Sequence, residues 1–149
     1  MIQRKQTILL LLSVAAFIIS YYLPFGEFSS HQIFAYDVID NGGSPVSGIQ
    51  HYWFHAPYAL AALVSLIAIF MFGNRQRQMA IVRITFILYA ATFALLAFYI
   101  RNAAESLSET DFAPGVSFFL VFASFVLNMI ALRMIKRDEQ LVRSVDRIR

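Results

Sequence analysis

The sequence lacks cysteine entirely and is poor in charged residues, which make up only 14% of its 149 positions. The absence of cysteine excludes disulfide-exchange enzymes, thiolate zinc sites and cysteine-ligated iron–sulfur clusters. A soluble domain of this length carries about 25% charged residues. The deficit of charge, together with a hydrophobic content of 59%, indicates a membrane protein.

Ionisable side chains are also missing from the centres of the long uncharged runs, which lie at 6–26, 56–74, 84–100 and 112–132. Proton relays, ion sites and voltage sensors generally need such groups inside the membrane. Glycine and proline are absent at mid-depth too, where the broken helices of many transporters carry them. A coupled transporter acting alone is therefore disfavoured, and a homo-oligomeric pore stays open as an alternative.

Four transmembrane helices account for these runs, because each can supply the roughly 17–21 helical residues that cross a hydrocarbon core of about 30 Å. The sequence predicts an all-α integral membrane protein, a four-transmembrane-helix bundle that forms a single domain. We expect an exterior loop at 24–55, a basic helical tail at 133–149, and spans at about 7–23, 56–73, 80–100 and 113–132.

The distribution of the 12 Lys and Arg residues gives the orientation. All but Arg101 lie at the N-terminus, in or near the turn Asn74–Gln78, or in the tail. Segments that stay in the cytoplasm are enriched in Lys and Arg. We therefore expect both termini and the central turn to be cytoplasmic, and the two other loops to lie outside.

The exterior loop at 24–55 is predicted to be ordered, either as a small β-hairpin or as an aromatic loop lying over the helix ends. Ile33–Ile39 is aromatic and β-branched, Asp40–Pro45 is a strong turn sequence, and Val46–Gln50 could form the returning strand. Two strands alone are marginally stable in water. The hairpin would therefore need to pack against the helices.

Small and polar side chains mark where the spans are expected to touch, because helices in lipid associate through close backbone approach and polar bonds. Asn128 is the strongly polar residue at depth in the fourth span, where an interhelical bond contributes roughly 0.6–2 kcal/mol. A packing contact is favoured there over a ligand contact. The small residues expected at seams are Ala61, Ala62, Ser65 and Ala68 in the second span and Ala90, Ala94 and Ala97 in the third.

Histidine provides the only hint of a ligand site. His51 and His55 stand four residues apart, so on a helix they share one face and could both reach a metal or haem. The alternative is an aromatic belt at the membrane interface, with side chains at headgroup level. His31 could add a ligand, but the set is incomplete, so no metal and no cofactor is predicted. The weak ligand candidates are His51, His55, Tyr36 and Trp53.

Catalytic motifs are absent: the sequence has no phosphate-binding glycine loop, nucleophile elbow or zinc-protease motif. Glu105, Glu109 and Asp111 are acidic neighbours, but nothing supplies the cleft that would separate their pKa values for acid–base chemistry. They are interpreted as a solvated loop. No catalytic residue is predicted, and the chain is not expected to be an enzyme.

The tail from Arg133 to Arg149 contains no glycine or proline and can continue the fourth helix. Anionic lipid could hold it as a basic amphipathic helix, and a cytoplasmic protein could use it as a docking helix. Nucleic acid is the least expected partner, because the tail has no aromatic side chains for base stacking. The residues expected to contact lipid or protein are Lys136, Arg137, Asp138, Glu139, Arg143, Asp146 and Arg147.

The two ends of the chain, Met1–Thr7 before a leucine run and Ile135–Arg149, resemble a family of small four-span membrane proteins from Bacteroidota-type bacteria. This family is catalogued as domain of unknown function 4293, and the likeness covers the whole chain in the number and layout of its spans. The resemblance implies a multi-pass protein of the bacterial inner membrane and brings no activity or catalytic residue with it. The ordered string in the tail also suggests that a partner recognises its charged residues individually.

The leading functional hypothesis is a non-enzymatic accessory or scaffold subunit of a larger inner-membrane assembly, with the tail and the exterior loop as contact surfaces. Its partners would be membrane lipid and a protein in the membrane or at its cytoplasmic face. The alternative hypothesis is a membrane protein that binds a small molecule, lipid or haem at the exterior helix ends.

Overall fold

Helices dominate the computed structural model, which describes residues 3–46 and 53–146. In this part of the chain the helices are α1 (Gln3–Tyr22), α2 (His55–Phe70), α3 (Arg75–Leu107) and α4 (Val116–Asp146). The strands are short: β1 (Gly26–Glu27), β2 (His31–Ile33), β3 (Val38–Asp40) and β4 (Ala113–Pro114).

Three of the described helices, α1, α3 and α4, contain segments long and apolar enough to cross a membrane, which indicates a membrane protein. α2 is apolar but has only 16 residues, a length of about 24 Å at 1.5 Å per residue. The turn after it ends at Asn74, whose side-chain oxygen accepts a hydrogen bond from the backbone N–H of Arg77 at 3.1 Å. This N-cap starts α3 immediately, so α2 and α3 form a tight helical hairpin.

The four helices pack as a ring in chain order. α1 contacts α2 and α4, and α3 contacts the same two helices. The predicted small-residue seam of the second span is confirmed, because Ala61, Ala62, Ser65 and Ala68 are all buried. Small side chains at these positions let α2 approach its neighbours closely.

The predicted seam of the third span is wrong. Ala90, Ala94 and Ala97 lie on the exposed side of α3. The helix instead turns larger side chains inward, with Tyr89 and Leu96 fully or almost fully buried. A large aromatic residue buries far more surface than alanine, and its hydroxyl needs a partner that only the bundle interior supplies. The described residues that α3 buries are Gln78, Val82, Thr85, Tyr89, Thr92, Leu96, Tyr99 and Ala103.

The core has two parts, one at each end of the bundle. The first lies under the four strands, at what we call the sheet end, and it is rich in aromatic rings. Phe54 is its hub: its ring meets that of Phe25 edge-on at 5.0 Å and stacks on Tyr99 at 5.0 Å. The second lies at what we call the basic end, near the α2–α3 turn, and is aliphatic, with Leu10, Ala68, Val82, Ala131 and Ile135.

The strands form one antiparallel sheet in the order β3-β2-β1-β4. The pairing of β1 with β4 ties the loop after α1 to the segment that precedes α4, with Gly26 opposite Pro114. The described part of the loop, 24–46, is therefore ordered, as predicted, and it packs on the helices through Phe25, Phe28 and Ile33. A sheet of such short strands depends on this packing for its stability.

The hairpin differs in detail from the prediction. Ile33–Ile39 is not one strand, because the chain reverses at 34–37, where Phe34 N donates to Asp37 O at 2.8 Å. The turn at Asp40–Pro45 is confirmed, with the Asp40 carboxylate accepting hydrogen bonds from two backbone N–H groups of that turn. Val46 begins the return by donating from its N–H to Val38 O at 2.9 Å. Residues 47–50, predicted to complete it, lie outside the described residues.

Gly115 allows the closest backbone crossing of the sheet end. Its N–H donates to Phe25 O at 2.9 Å. A Cβ at this position would lie 2.5 Å from Pro24 O and 3.0 Å from Gly26 N. Both neighbours are backbone atoms, so a rotamer change cannot relieve the clash.

We therefore expect Gly115→Ala to lower the free energy of unfolding by about 1–3 kcal/mol, the usual cost of overpacking. Chemical unfolding in detergent, followed by tryptophan fluorescence, measures the change. Gly73→Ala is the matched control, because a Cβ there would meet nothing within 4 Å. Equal unfolding curves for the two variants would contradict the close crossing.

Candidate functional site

A buried polar network joins the helices at mid-bundle. Tyr58 OH lies 2.8 Å from Ser124 Oγ. Asn128 accepts a hydrogen bond from Ser65 Oγ at 3.0 Å and donates one to Tyr89 OH at 3.0 Å. All five side chains are fully buried, so the predicted interhelical bond of Asn128 is confirmed. These polar groups are hydrogen-bonded to one another, and the network therefore joins α2, α3 and α4.

At the sheet end, a three-residue cluster of Ser30, His31 and Glu109 connects the β1–β2 turn to the segment after α3. Ser30 Oγ donates a hydrogen bond to Glu109 Oε1, and His31 Nδ1 lies 3.2 Å from the same oxygen. Ser108 adopts a left-handed conformation with φ 55°, which ends α3 and turns the chain toward the sheet. The His31 and Glu109 side chains are only 19% and 20% exposed.

This cluster holds two loops together and does not resemble a nucleophilic triad. In a triad the imidazole lies between the serine and the carboxylate and takes the serine proton. Here Ser30 Oγ donates directly to Glu109, and the same His31 nitrogen faces both Ser30 Oγ, at 2.9 Å, and Glu109, so the imidazole does not lie between them. The hydrogen bond from Ser30 lowers the pKa of Glu109, with smaller contributions from His31. The interpretation of Glu109 as part of a solvated loop is therefore wrong, although Glu105 and Asp111 are exposed as expected.

The weak ligand candidates do not converge in the described residues. Tyr36 packs against Phe34 and Tyr21, with ring centroids 5.6 and 5.8 Å apart. Trp53 is exposed, and His55 opens α2 with a buried Nδ1 atom that has no hydrogen-bond partner in the described structure. His51 lies outside the described residues. Across 3–46 and 53–146, no group of three His, Cys, Asp or Glu side chains could hold a metal ion.

At the basic end, the part of α4 beyond Arg133 is fastened to the other helices. Asp138 is only 8% exposed, and its carboxylate accepts a hydrogen bond from Gln6 of α1. Arg75 Nη1 of α3 donates to Asp138 O at 3.2 Å. This part of α4 is therefore held against α1 and α3.

The other tail candidates are distributed around this fastened helix. Glu139 accepts a bond from Gln76 of α3 at 3.4 Å. Lys136 and Arg137 are exposed and point away from the bundle interior. Arg143 and Asp146 belong to α4, whereas Arg147 lies outside the described residues. Asp138 and Glu139 are thus bonded to other helices of the same chain, although the sequence suggested that a partner would recognise them.

A groove runs between the α2–α3 turn and this part of α4. It has a volume of about 580 Å³, and Phe72, Arg75, Glu139 and Val142 contribute to its walls. Phe72 and Val142 are 59% and 44% exposed. Sequence reasoning missed the groove, because only the fold brings the central turn beside the tail. The described residues of the basic end also include exposed cations: Lys5, Arg77, Arg83, Arg133, Lys136 and Arg137.

Fold and surfaces together define a small helical membrane protein with a self-bonded sheet end and an open, basic opposite end. The chain belongs to the family described as domain of unknown function DUF4293, whose model matches residues 2–148. The match takes in both terminal segments on which the resemblance rested, except for Met1 and Arg149. No curated protein matches the chain.

The Ser30–His31–Glu109 cluster makes stability depend on pH in a defined direction. The pKa of Glu109 lies below its ordinary value of 4.5. The ionised carboxylate therefore contributes stability that is fully present above that value and is lost as the pH falls through the lowered pKa. We expect Glu109→Gln to melt below the wild type near neutral pH, and the two melting temperatures to converge as the pH falls below the lowered pKa of Glu109.

Melting temperatures measured across this pH range test the prediction. Glu105→Gln is the control, because Glu105 is exposed and pairs only with Arg101 on the same helix face at 2.9 Å. Such exposed pairs contribute little, so the control should follow the wild type throughout. A constant offset between Glu109→Gln and the wild type at every pH would contradict the proposed ionisation.

Proposed function

We propose that the protein is a non-enzymatic accessory or scaffold subunit of a larger assembly in the bacterial inner membrane. It contacts a protein partner mainly through the part of α4 beyond Arg133, and the sheet end provides a second surface. The observation that carries this proposal is the unbroken course of α4 from Val116 to Asp146, fastened near its end by Gln6 and Arg75.

Matched depths support four membrane crossings. The pairs Tyr58–Ser124 and Ser65–Asn128 mean that α2 runs in the same direction as α4 and beside its apolar half. Following this register, α2 ends close to the depth of Arg133, where the apolar part of α4 also ends. The short α2 therefore crosses the same layer as its neighbours, and mild thinning of a bilayer accommodates its length.

The cations support an orientation with the basic end in the cytoplasm. α3 and α4 are antiparallel, with Gln76 beside Glu139 and Tyr89 beside Asn128. This register brings Arg83 level with Arg133, so charge begins at one depth on both helices. Because Lys and Arg are concentrated on the cytoplasmic side, both termini lie there in the proposed topology.

A continuous helix cannot both follow the axis of its span and lie flat on the membrane. Beyond Arg133, α4 continues for 13 residues to Asp146, about 20 Å at 1.5 Å per residue. A flat lipid anchor needs its axis in the plane of the interface, so the upright geometry favours a protein partner. Leu141 and Val142 are 52% and 44% exposed on this projecting part. Exposed apolar groups in water are typical of protein contact surfaces.

The second candidate function is the binding of a small molecule, lipid or haem at the sheet end. It is favoured by one observation, the buried and unpartnered Nδ1 of His55 within the described structure. A ligand donor or metal would satisfy that atom. Purified protein that carries a Soret band or a stoichiometric lipid, lost in His55→Phe, would favour this function over the first.

For the scaffold function, we expect gentle-detergent purification from native membranes to recover a near-stoichiometric protein partner. Full-length protein is compared with a version ending at Lys136, and bound proteins are identified by mass spectrometry. The truncated version should lose the partner, because it lacks Leu141 and Val142. Identical, partner-free profiles would contradict the proposal.

Truncation also removes Asp138 and its bond to Gln6, so a milder variant is needed to separate contact from folding. Leu141→Ser and Val142→Ser change exposed apolar residues and leave the fastening contacts intact. Gln140→Ser, on the same stretch of helix and also exposed, is the matched control. The partner should be weakened by the first two changes and retained by the third.

A further inference from the structure

We propose that the groove at the basic end takes an acidic segment of the partner protein, with one large apolar side chain of that segment seated between Phe72 and Val142. This inference rests on the proposed function and identifies the chemistry of the partner. It is carried by three features of the basic end: two exposed apolar residues in the groove, a groove of suitable size, and an excess of exposed positive charge.

The two apolar residues of the groove lie where lipid chains do not cover them. Gln76 of α3 bonds Glu139 of α4 across one side of the groove. These residues stand about 9–10 Å beyond Arg83 and Arg133 along their helices, at 1.5 Å per residue. Phe72 and Val142 are thus exposed on the headgroup and water side of the first cations. Their apolar surface is stabilised only when a protein side chain covers it.

The size of the groove fits a side chain with its flanking backbone. Its volume of about 580 Å³ lies within the range of about 300–1,000 Å³ typical of ligand sites. Several polar groups in its wall already have partners: Asn74 caps α3 through Arg77 N, and Gln76 bonds Glu139. The wall therefore offers shape and apolar area more than free hydrogen-bonding groups.

The positive charge of the basic end favours an acidic segment as the occupant of the groove. Of the nearby acids, Asp138 is buried on Gln6, and Glu139, which lines the groove, accepts a hydrogen bond from Gln76. The exposed cations have no such bonds in the described structure, so the basic end carries an excess of exposed positive charge. Complementary potential across an interface steers association and excludes partners of like charge. Lipid headgroups match the charge, but they leave Phe72 and Val142 uncovered.

The test places a photoreactive phenylalanine analogue at Val142 in the full-length chain, in native membranes, and identifies the crosslinked product by mass spectrometry. The same probe at Ile130, which is exposed on the apolar part of α4, reports lipid contact. We expect the probe at Val142 to capture a peptide of another protein that is rich in Asp and Glu. An adduct with lipid alone, with a second copy of this chain, or with a segment lacking an acidic excess would overturn the inference, as would no adduct.

Charge is tested separately with paired variants. Arg77→Glu with Lys136→Glu should lower the yield of the crosslink about tenfold, the effect of roughly 1.4 kcal/mol of lost complementarity. Arg77→Lys with Lys136→Arg should retain it. Both substituted residues, Arg77 and Lys136, are exposed and have no described bonds from their side chains. Folding should therefore be preserved, and melting temperatures verify this. Equal yields from the two pairs would overturn the acidic assignment.

Failure of this inference is distinguishable from failure of the proposed function. If truncation at Lys136 removes a partner that the probe at Val142 does not reach, the scaffold function stands and the groove is not its contact site. If truncation removes no partner, the scaffold function itself fails, and with it the assignment of the groove.

Discussion

Polar groups inside a membrane have no water to bond, so each must find a partner within the protein. The rest of the structure depends on this constraint, which Asn128 expresses most clearly. Its amide joins Ser65 of α2 and Tyr89 of α3 to α4, and Ser65 and Tyr89 belong to the two helices of the central hairpin. Because these bonds fix the depth of one helix relative to another, they also fix which residues emerge together at each end.

The two ends of the bundle use their polar residues differently. At the sheet end, Ser30, His31 and Glu109 bond one another, and β4 pairs with β1. In these contacts the polar groups of the protein bond one another, and the contacts hold two loops together. At the basic end, Gln6 and Arg75 fasten α4, but cations and the apolar Phe72 and Val142 stay at the surface. The exposed cations with Phe72 and Val142 thus lie at the end where α4 projects, whereas buried atoms without a hydrogen-bond partner in the described structure, such as His55 Nδ1, lie at the sheet end.

Much of the helical layout could be predicted from composition, because apolar runs of membrane length and the clustering of Lys and Arg are properties of the sequence itself. The sheet could not be predicted in full, since Gly26 pairs with Pro114 from a distant part of the chain. The prediction of which face of α3 lies inward was also wrong. The small residues Ala90, Ala94 and Ala97 suggested close packing on their side of the helix. Tyr89 lies inward instead, because it buries more area and has a hydroxyl that Asn128 satisfies.

The tail contains a residue whose contact within the chain was interpreted, from the sequence, as a contact with a partner. Asp138, which was expected to contact lipid or a protein partner, lies in the same stripe of α4 as the buried Ala131 and Ile135. The stripe faces α1, and Gln6, a polar residue at the start of the first apolar run, meets the carboxylate. A buried acceptor beside a donor from a neighbouring helix is a fastening contact, and removing either partner leaves the other unsatisfied. Because this contact lies beyond Arg133, it holds the charged part of α4 against α1, where an isolated helix of this length would be marginal. A helix kept ordered and upright loses less conformational entropy on binding, which is the property that a docking surface needs.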